Sequence, residues 1–349
     1  VTSHFASDNW AAIAPEALAA LLEANGAGHA PAYGDDAWTA RAADTIRSLF
    51  EADCAVFFVF TGGAANALAL AAVCRPYEAV VCTPQAHIAT DECNATGFFG
   101  QGVSLLAAAN DDAAARRGKL TPAALRAAAT RRGDLHAPRP RAVSLTQATE
   151  LGTVYRVDEL QALGACAREL GLAVHMDGAR FANAVATLGC TPAEASWRAG
   201  VDVLSFGATK NGAPMGEAVV FFDRRLSDGF ERRVKQAGQL ASKMRLIAAP
   251  WVGLLEGGAW LAHARHANAM AARLADAIGG LPGVELLHAP EANGVFARLP
   301  RTAIEAVRAR GWQFHEVMPG GVCRLMCAWD TPAQSVDAFA AELSLACAA

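Results

Sequence analysis

Leu172-Ala173-Val174-His175-Met176-Asp177-Gly178-Ala179-Arg180 is the stretch on which the fold turns. Its first half is apolar and short, and it ends on an acid and a glycine. That is the composition of a buried strand running out into a turn. Upstream, Val157, Leu160, Leu163, Ala167 and Leu170 recur at helical spacing, and Gly171 closes that helix. Downstream, residues 201–206 repeat the strand pattern and lead into Gly207-Ala208-Thr209-Lys210-Asn211-Gly212. Further runs of this kind occupy residues 54–60, 79–82, 141–145 and 218–222. Strands alternating with helices specify an α/β fold, a mainly parallel sheet sandwiched by helices.

From about residue 251 the pattern changes. A long helical tract reaches about residue 278, where Gly279-Gly280-Leu281-Pro282-Gly283 breaks it, and strand-like runs follow at 284–287, 295–299 and 323–327 before a terminal helix. The expected division is an arm over 1–30, a large domain over 31–250 and a smaller α+β domain over 251–349.

Composition narrows the function. Of 349 residues 53% are apolar and 18% charged, enough for a sizeable core. No run of about 18 uninterrupted apolar residues appears, so no membrane span is expected. A net charge of −4 with scattered basic residues argues against a nucleic-acid surface. The nine cysteines have irregular spacing and no C-x-x-C pair, which reads as reduced thiols in a cytoplasmic protein with no metal site. The opening residues lack the basic and apolar regions of a signal peptide.

Ligands of open α/β sheets collect beyond the carboxyl ends of the strands. There the sequence places Asp177, Lys210 and Thr61-Gly62-Gly63, the last opening a helix. Each suits pyridoxal phosphate. A helix N-terminus takes the phosphate, and Gly62 and Gly63 let the backbone approach it. A partly desolvated Lys210 offers an amine to the aldehyde. Asp177 keeps the pyridine nitrogen protonated.

At these residues the sequence resembles the low-specificity L-threonine aldolases of the fold-type-I pyridoxal-phosphate superfamily, over essentially the whole chain. The motifs are Phe5-Ala6-Ser7-Asp8-Asn9, Tyr33-Gly34-Asp35-Asp36, Thr61-Gly62-Gly63-Ala64-Ala65-Asn66, Ala86-His87 and His175-Met176-Asp177-Gly178-Ala179-Arg180. The resemblance implies that Lys210 carries the cofactor, Asp177 pairs with the ring nitrogen and His87 stacks on the ring beside the substrate hydroxyl. It gives the substrate carboxylate to Ser7, Arg180 and Arg324, and the phosphate to Gly62, Gly63 and Arg245 or Lys235. His136 matches a second active-site histidine, and Tyr33 shapes the site from a neighbouring subunit. The general base is His87, His136 or a water they hold. The implied reaction is cleavage of L-threonine, L-allo-threonine and similar L-β-hydroxy-α-amino acids to glycine and an aldehyde by a homo-oligomer, a tetramer rather than a dimer. The alternative is a related β-eliminating lyase acting on another amino acid. Gln147-Ala148-Thr149-Glu150 departs from the family's usual Glu-Asn-Thr-His. His175 is expected to be a core histidine on the sheet face opposite Asp177, and His263 and His266 to be surface residues without partners.

Overall fold

The computed structural model describes residues 4–108 and 113–348; the first three residues of the expected arm lie outside them. Its larger sheet has seven strands: β1 (Ala55–Val59), β2 (Glu78–Cys82), β3 (Ser104–Ala107), β4 (Arg139–Thr146), β5 (Ala173–Gly178), β6 (Val203–Phe206) and β7 (Glu217–Phe221). They lie in the order β1-β7-β6-β5-β4-β2-β3. The pairs β2/β3, β2/β4, β4/β5 and β5/β6 are parallel, and β7 runs antiparallel to β1 and β6. The expected mainly parallel sheet is present.

Alternation along these strands sorts side chains to two faces. Val143, Leu145, Val174, Met176, Leu204, Phe206 and Val220 pack into one apolar core, and Val80, Ala142, Ala173, Val203 and Val219 into the other. The second core is covered by helix Gly62–Val73, which is apolar nearly all round because it lies between the sheet and further helices. In the first, Phe206 is 1% exposed and meets the rings of Phe50, Phe181, Trp251 and Trp260.

Two strands escaped the sequence reading. β3 sits in an alanine-rich stretch that reads as helix, and β10 (His315–Met318) is largely polar because it edges the smaller sheet. That sheet also contains β8 (Glu285–Leu286), β9 (Gly294–Arg298) and β11 (Val322–Met326), in the antiparallel order β10-β11-β9-β8. The long helical tract is also two helices, Arg245–Glu256 and Ala259–Ile278. Gly258 between them has φ +71°, a conformation that ends a helix and favours glycine.

Trp251, Leu254, Trp260 and Ala264 join the large core, whereas Ala271, Leu274, Ala275 and Ile278 join the small one. One helix therefore spans both. The N-terminal arm reaches the small core as well. Phe5 is fully buried there against Trp312 and Phe339, its N–H donating to the Gln313 carbonyl and its carbonyl accepting from the Met326 N–H, both at 2.8 Å.

Phe206 fills the centre of an aromatic cluster that has little room to collapse. Phe206→Ala should lower unfolding free energy by about 3–5 kcal/mol, read as a shift in the denaturant midpoint at unchanged slope.

Candidate active site

The parallel register sets the site. Thr146 of β4 lies beside Asp177 of β5, which lies beside Ser205 of β6. Just past β6, a 3-10 turn over Thr209–Asn211 carries Lys210. Past β1, Thr61 caps helix Gly62–Val73 by accepting the Ala64 N–H at 3.2 Å. These ends enclose a cavity of about 410 Å³ whose wall includes Gly62, Gly63, Asn66, His87, Asp177, Arg180 and Lys210.

Lys210 is half-buried, and no hydrogen bond or ion pair joins its Nζ among the described residues. Burial first, then the neighbouring Arg180, holds its pKa below the ordinary lysine value despite Asp8, Asp177 and Glu217. A desolvated amine of this kind is a nucleophile at lower pH than a free lysine. Asp177 faces it with both oxygens fixed: Oδ2 accepts from Asn66 Nδ2 at 2.8 Å and Oδ1 from the Ala179 N–H at 3.0 Å. The Gly62 Cα faces open space, with no atom within 4 Å of where a Cβ would stand.

His87 is clamped twice. Its Nδ1 lies 2.8 Å from Glu92 Oε1, and its backbone N–H donates to Glu150 Oε1 at 2.9 Å. The Glu92 hydrogen bond outweighs burial and raises the imidazole pKa above its usual value. His87, Glu92 and Asp177 bring ligand atoms within 4.8 Å of one another, which resembles a metal cluster. Asn66 Nδ2 donates to both carboxylates, however, and an amide NH2 cannot face a cation.

Two guanidinium groups meet on the far side. Arg180 binds Asp8 through Nε at 2.7 Å and Nη2 at 3.0 Å. Burial alone would raise the Asp8 pKa, but Arg180 and the Asn293 amide win and hold it below the ordinary carboxylate range. Arg324 of β11 is pushed below its ordinary pKa by burial and by Arg180, and its Nε is sealed from solvent without a partner. Arg180 lines the cavity, and a pair of desolvated guanidinium groups is chemistry that suits a carboxylate. Ser7, one residue before Asp8, accepts the Asn9 N–H at 3.2 Å.

Not every expected residue arrives. His136 lies three residues before β4, whereas the cavity lies past its other end, roughly 23 Å away for an eight-residue strand. It lines a separate groove with Arg131 and Leu105. Tyr33, Lys235 and Arg245 are not among the residues that line the cavity: Lys235 Nζ sits 4.6 Å from the centre of the Tyr33 ring, and the Tyr33 N–H donates to the Ser242 carbonyl. Arg245 borders a groove formed with Gly28–Ala32 there, its Nε buried and unpartnered.

His175 also needs correction. It is two residues from Asp177 and so shares its sheet face. It is still a core histidine, buried between the hydroxyls of Ser144 at 2.9 Å and Ser205 at 3.1 Å and kept neutral by burial. His263 and His266 do have partners, the carbonyl of Asn211 at 3.3 Å and that of Thr331 at 2.8 Å. The acids Asp8, Glu92, Glu150 and Glu217 were missed as site residues. Asp8 and Glu150 stood in motifs already singled out, but only folding reveals that they are buried.

A free amine, a fixed acid and the glycine-lined start of a helix around one cavity fit a phosphorylated aromatic aldehyde such as pyridoxal phosphate. Comparison with known proteins agrees. The family described as beta-eliminating lyase matches residues 4–301. The low specificity L-threonine aldolase of Pseudomonas aeruginosa is 57% identical over 344 residues, 99% of this chain and 98% of that one. That of a Pseudomonas species is 56% identical over 98% and 97% of the two chains. A structure of Leishmania major threonine aldolase superposes with a TM-score of 0.91 at 28% identity, over 99% of each chain.

Glu92→Gln keeps the volume but removes the charge that holds a proton on His87. The imidazole should then titrate at lower pH than in the wild type, measured by NMR of ring-labelled histidine.

Proposed function

The chain belongs to the beta-eliminating lyase family, and on that premise we propose how its residues divide the work of a pyridoxal-phosphate-dependent threonine aldolase. The reaction is a carbon–carbon lyase step: L-threonine is cleaved to glycine and acetaldehyde. L-allo-threonine and other L-β-hydroxy-α-amino acids are the further substrates we assign to it. The observation that carries the reading is that Lys210 and Asp177 line one cavity from neighbouring strand ends.

Bound pyridoxal phosphate supplies the electron sink for the pair left on Cα when the Cα–Cβ bond breaks. Lys210 provides the amine that tethers it. Asp177, fixed by Asn66 and Ala179, holds a proton at the ring nitrogen. Gly62 and Gly63 offer backbone N–H groups to the phosphate. Arg180 and Arg324, with Ser7, grip the substrate carboxylate and so orient the Cα–Cβ bond. His87, whose ring borders the cavity, takes the β-hydroxyl proton in its neutral form. Its raised pKa means this role is lost as pH falls through that value. His136 is not given the role of base, because its own chain places it at the other end of β4.

We further assign the chain to a cytoplasmic homo-oligomer, a tetramer rather than a dimer. Tyr33, Lys235 and Arg245 do not line their own cavity, and the unpartnered Arg245 Nε supports delivery of that guanidinium to the phosphate of a neighbouring subunit.

Lys210→Ala should abolish the visible absorbance of lysine-bound cofactor and release of acetaldehyde from L-threonine. A retained band would refute the tether, and pyruvate in place of acetaldehyde would point to elimination. Mixing inactive Lys210→Ala and Arg245→Ala subunits tests the shared site. With random pairing, one site in each mixed pair is complete, so about a quarter of wild-type activity should return. No recovery would place Arg245 outside the partner's site.

A further inference from the structure

Glu150 is an acid of the cavity that the reaction above leaves without a role. It lies just beyond β4, where Oε1 accepts the Thr146 hydroxyl at 2.7 Å and the His87 N–H at 2.9 Å. Its Oε2 is sealed from solvent and meets no partner. His87 heads a helix of only four residues, His87–Thr90, too short to hold a position by its own hydrogen bonds. Glu92 fixes the direction of the ring, but nothing in that contact fixes the main chain that carries it. The only side-chain hydrogen bond to the His87 main chain among the described residues comes from Glu150.

We infer that Glu150 is a positioning residue, a carboxyl group that ties the main chain of His87 to the end of β4 and so sets the imidazole over the cavity. The β4 end also carries Thr146, beside Asp177 in the sheet. One carboxyl oxygen thus references His87 to the same strand row as the acid at the ring nitrogen. A displacement of about 1 Å in such a group can cost about a hundredfold in rate, so an anchor of this kind bears on turnover.

The anchor holds whether or not the carboxyl carries its proton, because Oε1 accepts both hydrogen bonds in either state. Asp177 of β5 faces the carboxyl as a like charge, Arg180 at the head of helix Phe181–Leu188 as an opposite one, and His87 lies against it from its short helix. Cys82 of β2 and Tyr155 also feel it, and both are uncharged at neutral pH because burial raises their pKa values. Burial dominates, and together with Asp177 it pushes Glu150 up to about 7. Burial of Oε2 without a partner makes the ionised form the costlier one, which is the physical cause of the raised value.

The inference rests on the aldolase reading for the role of His87, so the test has one arm that does not depend on turnover. In infrared difference spectra of the holoenzyme taken between about pH 5.5 and about pH 8.5, the wild type should lose a protonated-carboxyl band with a midpoint near 7. Glu150→Gln should lack that band. Its amide carbonyl can still accept the two hydrogen bonds, so its kcat for L-threonine should stay within about tenfold of wild type, whereas Glu150→Ala, with cofactor absorbance intact, should lose at least about tenfold more. If the band persists with an unchanged midpoint in Glu150→Gln, the assignment of the proton is wrong. If Gln and Ala variants turn over alike, the anchoring role is wrong. Should neither variant nor the wild type cleave threonine while the band behaves as described, the fault lies with the aldolase reading instead.

Discussion

Thr146, Asp177 and Ser205 form one row across three parallel strands, and the placement of Asp177 opposite the Lys210 turn follows from that row. Parallel strands cannot turn directly into one another, so each must leave the sheet at the same edge and return by a helix. The exits are where the backbone is free to deliver side chains. Asp177 ends one strand, the Lys210 turn follows the next, and helix Gly62–Val73 begins beyond a third. Slipping one strand by a residue would send Asp177 to the opposite face and away from Asn66.

Within that frame the cavity is a balance of charges kept from water. Asp8 answers Arg180, Glu92 answers His87, and Glu217 receives the Ala208 N–H at the start of the Lys210 turn. Burial pulls in opposite directions on the two signs, lowering Lys210 and Arg324 and raising Glu150 and Glu217. Lys210 therefore loses its proton more readily, and Glu150 and Glu217 less readily, than free side chains do, whereas Arg180 holds Asp8 in the opposite direction. The two arginines stay close without mutual compensation, because only one of them has an acid of its own.

The sequence showed the groups that follow strands, because an apolar run ending in Asp-Gly or in a small-residue loop with a lysine is a local pattern. It therefore located Asp177, Lys210, Gly62 and Gly63 together. It did not show which acids would be buried. Glu92 and Glu150 look like ordinary surface acids until helix and strand close over them. β3 was hidden by alanine, which is compatible with either period, and the helix break at Gly257-Gly258 by apolar residues continuing on both sides. His136 and the Tyr33 cluster carry motif information without positional information, since nothing local to them says which end of the sheet they will meet.

Phe5 is locked into the small domain by two main-chain hydrogen bonds and an aromatic cage, and Asp8 follows it by three residues. Asp8 is also the partner of Arg180, which belongs to the large domain, and of Asn293, which leads into β9 of the small one. The arm is thus a short tether with one end in each half of the molecule. Arg324 stands on the smaller sheet, so the carboxylate that steadies Arg180 and the second guanidinium are both tied to that sheet. The distance between Arg180 and Arg324 is thereby set by the arm that joins the two sheets as much as by either sheet alone.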